Sequence, residues 1–207
     1  MPPAREALWM KFVEPIRDIK QIEAMKKLMI AEGNYRDHLL FTLGINSGLR
    51  ISDLLSIKWT LFLTDKGKLL KTGADITVCE KKTGKEKRFK LNKSIRKALE
   101  LFYEHIQEPD AEAFVFLSRQ VDTKGSVTPI SRVQAWRTLN KYAEALDIGG
   151  KIGTHTLRKT FGYHLYKKGI AVEYIQKLLN HSAASITLAY IGISQDQLDE
   201  IYVDLNL

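Results

Sequence analysis

A single cysteine, Cys79, stands in 207 residues. One thiol excludes an intramolecular disulfide and a metal cluster built on cysteine, and it suits a reducing compartment. Its alternating surroundings predict a small packing residue within a strand. Proline is scarce, and Pro2, Pro3 and Pro15 take up three of the 5 in the chain. No apolar run approaches the ~20 residues needed to span a bilayer. The N-terminus, Met1-Pro-Pro-Ala-Arg-Glu, lacks the apolar stretch of a signal peptide. A cytoplasmic protein with no membrane partner is expected. Carboxylates at metal-ligand spacing are missing too, which argues against a two-metal nuclease, and no metal or cofactor is expected.

What remains is 44% hydrophobic and 27% charged, enough for one domain with its own core, or one domain and a short arm. Lys and Arg number 32 against 24 Asp and Glu, a net charge of +8. That balance suits a polyanionic partner held by counterion release, although mild basicity alone is common.

The periodicity predicts a mostly α-helical α+β chain with one small antiparallel sheet or hairpin. Residues 1–17 read as an arm or linker. Asp18 starts a helix carrying Ile19, Ile22, Met25, Leu28 and Met29, which stops at Gly33. A second helix runs from Tyr35 to Ser47 and halts at Gly48, and Ser52 is expected to cap a short third. Ile76–Val78 and Arg88–Leu91 flank Lys82-Thr-Gly84-Lys85 as a β-hairpin. Asn92 and Ser131 are N-caps of two longer helices, and Phe114–Leu117 reads as extended. Short helices follow Thr154, the expected cap of the first of them, and 195–207 forms a tail helix with Leu198, Ile201, Tyr202 and Leu205 on one face.

Near the C-terminus stand His155-Thr-Leu-Arg158, His181 and Tyr190. A phenol, two imidazoles and an arginine suit attack on a phosphodiester. A free phenol has a pKa near ~10 and needs a proton acceptor or an electropositive site. The charge developing on the non-bridging oxygens is best met by the fixed donor fork of arginine. The leaving oxygen needs a proton, which a tuned lysine can give. Arg50 supplies a second arginine, with Asp53 three residues on as its supporting carboxylate. The hairpin offers Lys82 among Lys81, Lys85, Lys87, Arg88 and Lys90. Each residue has an ordinary reading beside this one: His-x-x-Arg is usually a surface pair, a helical tyrosine is usually core, and a lysine cluster is usually solvated. Lys81 and Lys85 offer the same chemistry as Lys82, so the residues alone leave the proton donor open.

Three boxes in order resemble the tyrosine recombinases, or phage integrases. They are Ser47-Gly-Leu-Arg-Ile-Ser-Asp-Leu-Leu-Ser-Ile-Lys-Trp59, then Thr154-His-Thr-Leu-Arg-Lys-Thr-Phe161, then Ile175-Gln-Lys-Leu-Leu-Asn-His-Ser182 leading into Thr187-Leu-Ala-Tyr190. The resemblance covers 18–207 and implies the catalytic-domain fold of that family. It implies that Arg50 and Arg158 grip the scissile phosphate, that His155 hydrogen-bonds to the same group, and that Lys82 is the general acid. His181 would position or deprotonate the nucleophile, Tyr190, which would form a 3′-phosphotyrosine without metal or ATP. Double-stranded DNA is the implied partner, with Lys81, Lys85, Lys87, Arg88 and Lys159 as DNA contacts. Lys159 stands where many members have His, and Asn180 where many have Gly, a turn position that Asn tolerates.

Typical members carry an N-terminal helical domain that closes a clamp on DNA. Only 1–17 precede the first helix here, so no core-binding domain of that kind is expected, whether the chain is a catalytic domain alone or a short member. The tail at 195–207 would link protomers in a tetramer on DNA, or fold back on its own domain in a DNA-free monomer. Two rivals remain. Residues 169–191 also resemble a helix-turn-helix, as in a non-catalytic regulator, and a type IB topoisomerase shares the tyrosine chemistry while only relaxing supercoils. A regulator has no use for Arg50, His155, Arg158 and a hairpin lysine together.

Overall fold

The computed structural model of the chain describes residues 13–107, 109–121 and 127–192. The start of the arm and the tail face of Leu198, Ile201, Tyr202 and Leu205 lie outside the described residues. Helix α1, Ile19–Ala31, begins where the Asp18 carboxylate accepts the Lys20 amide at 2.7 Å, and it buries Ile22, Met25 and Met29. Helix α2, Tyr35–Ser47, is the central helix, buried at Leu39, Leu40, Phe41 and Leu43. It packs on α1 and on the longer helix α4, Lys93–Ile106, whose cap is Asn92 as expected. A Cβ on Gly44 would stand 2.6 Å from Leu157, so glycine there lets α6, Thr156–Lys167, cross α2 closely.

Gly48 ends α2 in the left-handed region at φ 60°, which turns the chain into the short α3, Ile51–Leu54. Arg50, not Ser52, occupies the residue before that helix, because the backbone turns extended there at ψ 150°. The expected hairpin pairs β1, Asp75–Cys79, with β2, Glu86–Lys90, antiparallel with Ile76 opposite Phe89 and Val78 opposite Lys87. Cys79 ends β1 as an exposed free thiol rather than a packing residue, because the alternation turns its side chain to the solvent face. A second antiparallel pair, β3 Leu117–Val121 with β4 Val127–Pro129, follows Phe114, which makes an isolated bridge to Lys58, and a turn at Val115 and Phe116 where an extended run was expected, so only Leu117 of that run is in a strand. Ser131 caps α5, Arg132–Ala145, with a reciprocal bond from Gln134.

Thr154 does not cap α6. His155 holds that place without a side-chain bond, and the hydroxyl of Thr156 accepts the Gly153 amide at 3.0 Å instead. Helices α7, Val172–Leu178, and α8, Ala184–Ile191, close on α6 around a small separate core of Ile175, Leu179 and Ile191. Asn180 makes the turn between them at φ 50°. No helix among the described residues is long and apolar enough to cross a membrane.

Candidate active site

The end of α2, the first hairpin, the start of α6 and the C-terminal helices converge. Gly48 offers its carbonyl at the meeting point: Arg158 Nη1 donates to it at 2.8 Å and Lys87 Nζ at 2.6 Å. Arg158 is 2% exposed, and its other terminal nitrogen donates to the Leu179 carbonyl. Arg158 therefore ties α2 to the α7 end across α6, with every contact made by its planar fork.

Arg50 is the second arginine at this point. The carboxylate it reaches is Glu80, at 2.6 Å, rather than the Asp53 expected from sequence spacing. Asp53 points elsewhere: it is fully buried, and its Oδ1 accepts the Lys81 amide at 3.0 Å, pinning the hairpin turn to α3. Glu80 also faces Arg158, at 3.5 Å, and accepts the Thr83 hydroxyl at 2.8 Å. Burial pushes the Glu80 carboxyl up, but the adjacent Arg50 guanidinium and the hydrogen bond from Thr83 win and hold its pKa at about 2.

Tyr190 is half-buried against the small C-terminal core, and its phenol lies 3.0 Å from Nδ1 of His155. Burial raises the pKa of the phenol, opposed by the nearby Arg158 and Arg50 charges. His155 is depressed below the ordinary histidine value, first by burial and then by Arg158, Lys159, Arg50 and Lys82. A depressed imidazole is neutral at pH 7, so one ring nitrogen can accept a proton. His181 packs edge-on to the Tyr190 ring, centroids 4.9 Å apart, while its Nδ1 meets the Thr187 hydroxyl at 3.0 Å. Burial, then the Arg158 and Arg50 charges, bring its pKa down to about 4.

Arg50, His155, Arg158, His181 and Tyr190 thus share one site. Lys82 sits exposed on the hairpin turn, near enough for its charge to act on His155. Lys81 and Lys85 are exposed on the same turn, and exposed Arg88 is paired with Asp75 at 2.6 Å. Two of the expected DNA contacts are buried. Lys87 is 5% exposed and turned inward to the Gly48 carbonyl, and burial followed by repulsion from Arg158 lowers its pKa to about 7. Lys159 is also buried, with its ammonium 5.3 Å from the centre of the Tyr190 ring.

Sequence reading missed Glu80 and the inward turn of Lys87. Period-two alternation carries both: Ile76 and Val78 point inward and Glu80 continues that face, while Lys87 shares the inner face of β2 with Phe89. Among the described residues, no group of three or more His, Cys, Asp or Glu side chains is arranged to hold a metal ion. The site's chemistry is that of a phenol beside a neutral imidazole and two guanidiniums, which suits transfer of a phosphoryl group to the phenol.

A sequence model of the phage integrase family matches residues 18–196. The chain is 38% identical over 193 residues to the probable integrase/recombinase YoeC of Bacillus subtilis (strain 168), covering 93% of this chain and 97% of that protein. It is 25% identical over 178 residues to the tyrosine recombinase XerA of Pyrococcus horikoshii, covering 86% of this chain but only 58% of XerA. The fold is similar to that of the XerH site-specific recombinase in a post-cleavage complex with its palindromic difH substrate. That match has a TM-score of 0.64 at 20% identity and covers 92% of this chain and 53% of XerH.

Proposed function

The chain belongs to the phage integrase family of tyrosine recombinases, enzymes that cleave and rejoin DNA, and we propose that Tyr190 is the nucleophile of that reaction. The observation that carries this reading is the 3.0 Å contact between the phenol and Nδ1 of His155 beside the arginine pair. In the proposed step, the Tyr190 oxygen attacks the scissile phosphorus and forms a P–O bond to the enzyme. The P–O5′ bond breaks, leaving a 3′-phosphotyrosine and a free 5′-hydroxyl. Arg50 and Arg158 meet the charge on the non-bridging oxygens. Nδ1 of His155 takes the phenol proton, His181 orients the ring, and Lys82 on its exposed turn protonates the leaving oxygen. A second 5′-hydroxyl then reverses the step, and the ester bond kept in the intermediate makes ATP unnecessary. Because Tyr190 lies beside His155 of its own chain, the geometry supports cleavage within one protomer.

Residues 18–207 act as the catalytic domain in this reading, and double-stranded DNA carrying a recombination site is the substrate, as palindromic difH is for XerH. Lys81, Lys85 and Arg88 are exposed for phosphate contacts. Protomers assemble as a tetramer on paired sites through residues 195–207. The DNA substrate and the single cysteine support a cytoplasmic setting.

A pool of nicked suicide duplexes with randomised sequence around the nick tests the reading. Wild type forms an SDS-resistant protein–DNA adduct, and Tyr190→Phe forms none. An adduct that persists in Tyr190→Phe removes Tyr190 from the reaction. Tight binding without any adduct turns the chain into a DNA-binding regulator.

A further inference from the structure

The hairpin brings a group into the site to which the cleavage step above gives no part, the Glu80 carboxylate. It is 0% exposed and lies between the two guanidiniums. One oxygen pairs with Arg50 at 2.6 Å and accepts the Thr83 hydroxyl at 2.8 Å, and the other faces Arg158 at 3.5 Å. A buried carboxylate is costly unless its charge is met, and this one is met on two sides. The need is mutual. Arg50, Arg158 and Lys87 put three basic groups into one poorly hydrated volume, where like charges repel strongly. Asp53 is buried nearby, but its Oδ1 accepts the Lys81 amide and, among the described residues, it pairs with neither arginine.

We propose that Glu80 is a positioning residue for strand cleavage: it sets the spacing of Arg50 and Arg158 and, through Thr83, holds the Lys82 turn in register with them. Three pieces of chain meet at this carboxylate, from the start of α3, from α6 and from the β1–β2 turn. The Glu80 backbone is the root of that turn, donating to the Lys85 carbonyl at 2.9 Å and accepting the Gly84 amide at 2.8 Å. Its side chain therefore leaves from a fixed point, and Thr83 and Arg50 share one of its oxygens. Phosphate grip and proton donor are thereby held to a common reference. The negative charge also weakens the arginines' attraction for the bound phosphate, so Glu80 improves geometry at some cost in affinity.

The inference rests on the cleavage reading above, and the test separates the two. Adduct formation in single turnover and non-covalent DNA binding are measured side by side on a duplex selected by wild type. Glu80→Gln, nearly the same shape without the charge, cleaves ~10–100-fold more slowly, as expected for loss of a group that orients a reacting residue. Its DNA binding is unchanged or tighter. Thr83→Val, on the exposed turn, shows the same split to a lesser degree, and Thr83→Ser restores most of the rate. A folded Glu80→Gln with the wild-type cleavage rate overturns the proposal, as does an equal loss of binding and cleavage. If Glu80→Gln fails to fold, a wild-type rate in Thr83→Val overturns it. Failure of wild type to form a Tyr190-dependent adduct overturns the cleavage reading itself, and the proposal falls with it.

Discussion

The phenol of Tyr190 meets Nδ1 of His155 at 3.0 Å, while the same atom of His181 is engaged by Thr187. Two histidines stand against one tyrosine, and only one of them is bonded to its oxygen. The division of labour between them is open to titration.

His155 is held below the ordinary histidine pKa by burial and by the surrounding cations, so its neutral, proton-accepting form persists below pH 6.5. Cleavage is therefore expected to hold its rate down to mildly acidic pH and to fall as pH drops through that depressed value. His155→Gln, which does not titrate, should slow adduct formation by ~10²–10⁴-fold and remove that acidic limb. The pH–rate profile decides: a limb near pH 4 that survives the substitution reports His181 instead.

Gly48→Ala is expected to destabilise the fold by roughly 2–4 kcal/mol, from left-handed backbone strain and overpacking together. Gly48 has φ 60°, and a Cβ there falls onto the ring of Phe161. Urea denaturation measures the loss. Adding Phe161→Leu should return the steric part alone, and a fully additive pair of losses would show that the ring is not the obstacle.

Lys87 should make stability rise with alkaline pH. Its pKa falls from 10.5 to about 7 on folding, so between those values the unfolded chain binds more protons than the folded one. The gain is complete above the unfolded value and is lost as pH falls through about 7, where the buried amine takes up its charge. Lys87→Met should flatten this dependence and be neutral to stabilising at pH 7, by up to ~4 kcal/mol. Denaturation midpoints at pH 7 and 9 test it. A wild type equally stable at both would mean that this amine is solvated.

Sequence reading went furthest where structure is local. Asn92 and Ser131 announce α4 and α5 because a cap and its helix are a few residues apart, and Gly48 ends α2 because no other residue enters that conformation as easily. The boxes carried Arg50, Arg158, His155, His181 and Tyr190 to one place because each is tied to a helix end. Partnership was harder to read. Asp53 is near Arg50 in sequence and drew the expected ion pair, whereas Glu80 reaches it only after β1 and β2 have paired. Lys87 looked like one of a run of solvated lysines, since charge suggests the surface more strongly than strand register suggests the interior. Thr154 precedes α6 as a good cap would, but the backbone placed the helix start one residue later.

The Gly48 carbonyl, shared by Arg158 and Lys87, bears on when the enzyme becomes competent. Its donors lie 110 and 39 residues further along the chain. A ribosome-bound fragment ending before α6 can already carry Arg50 and the Lys82 turn, yet this acceptor has only one of its two cations. Closing the longer loop costs chain entropy that only the completed core offsets. A product that ends before α6 therefore has Arg50 without Arg158, and the arginine pair forms only once α6 has docked on α2.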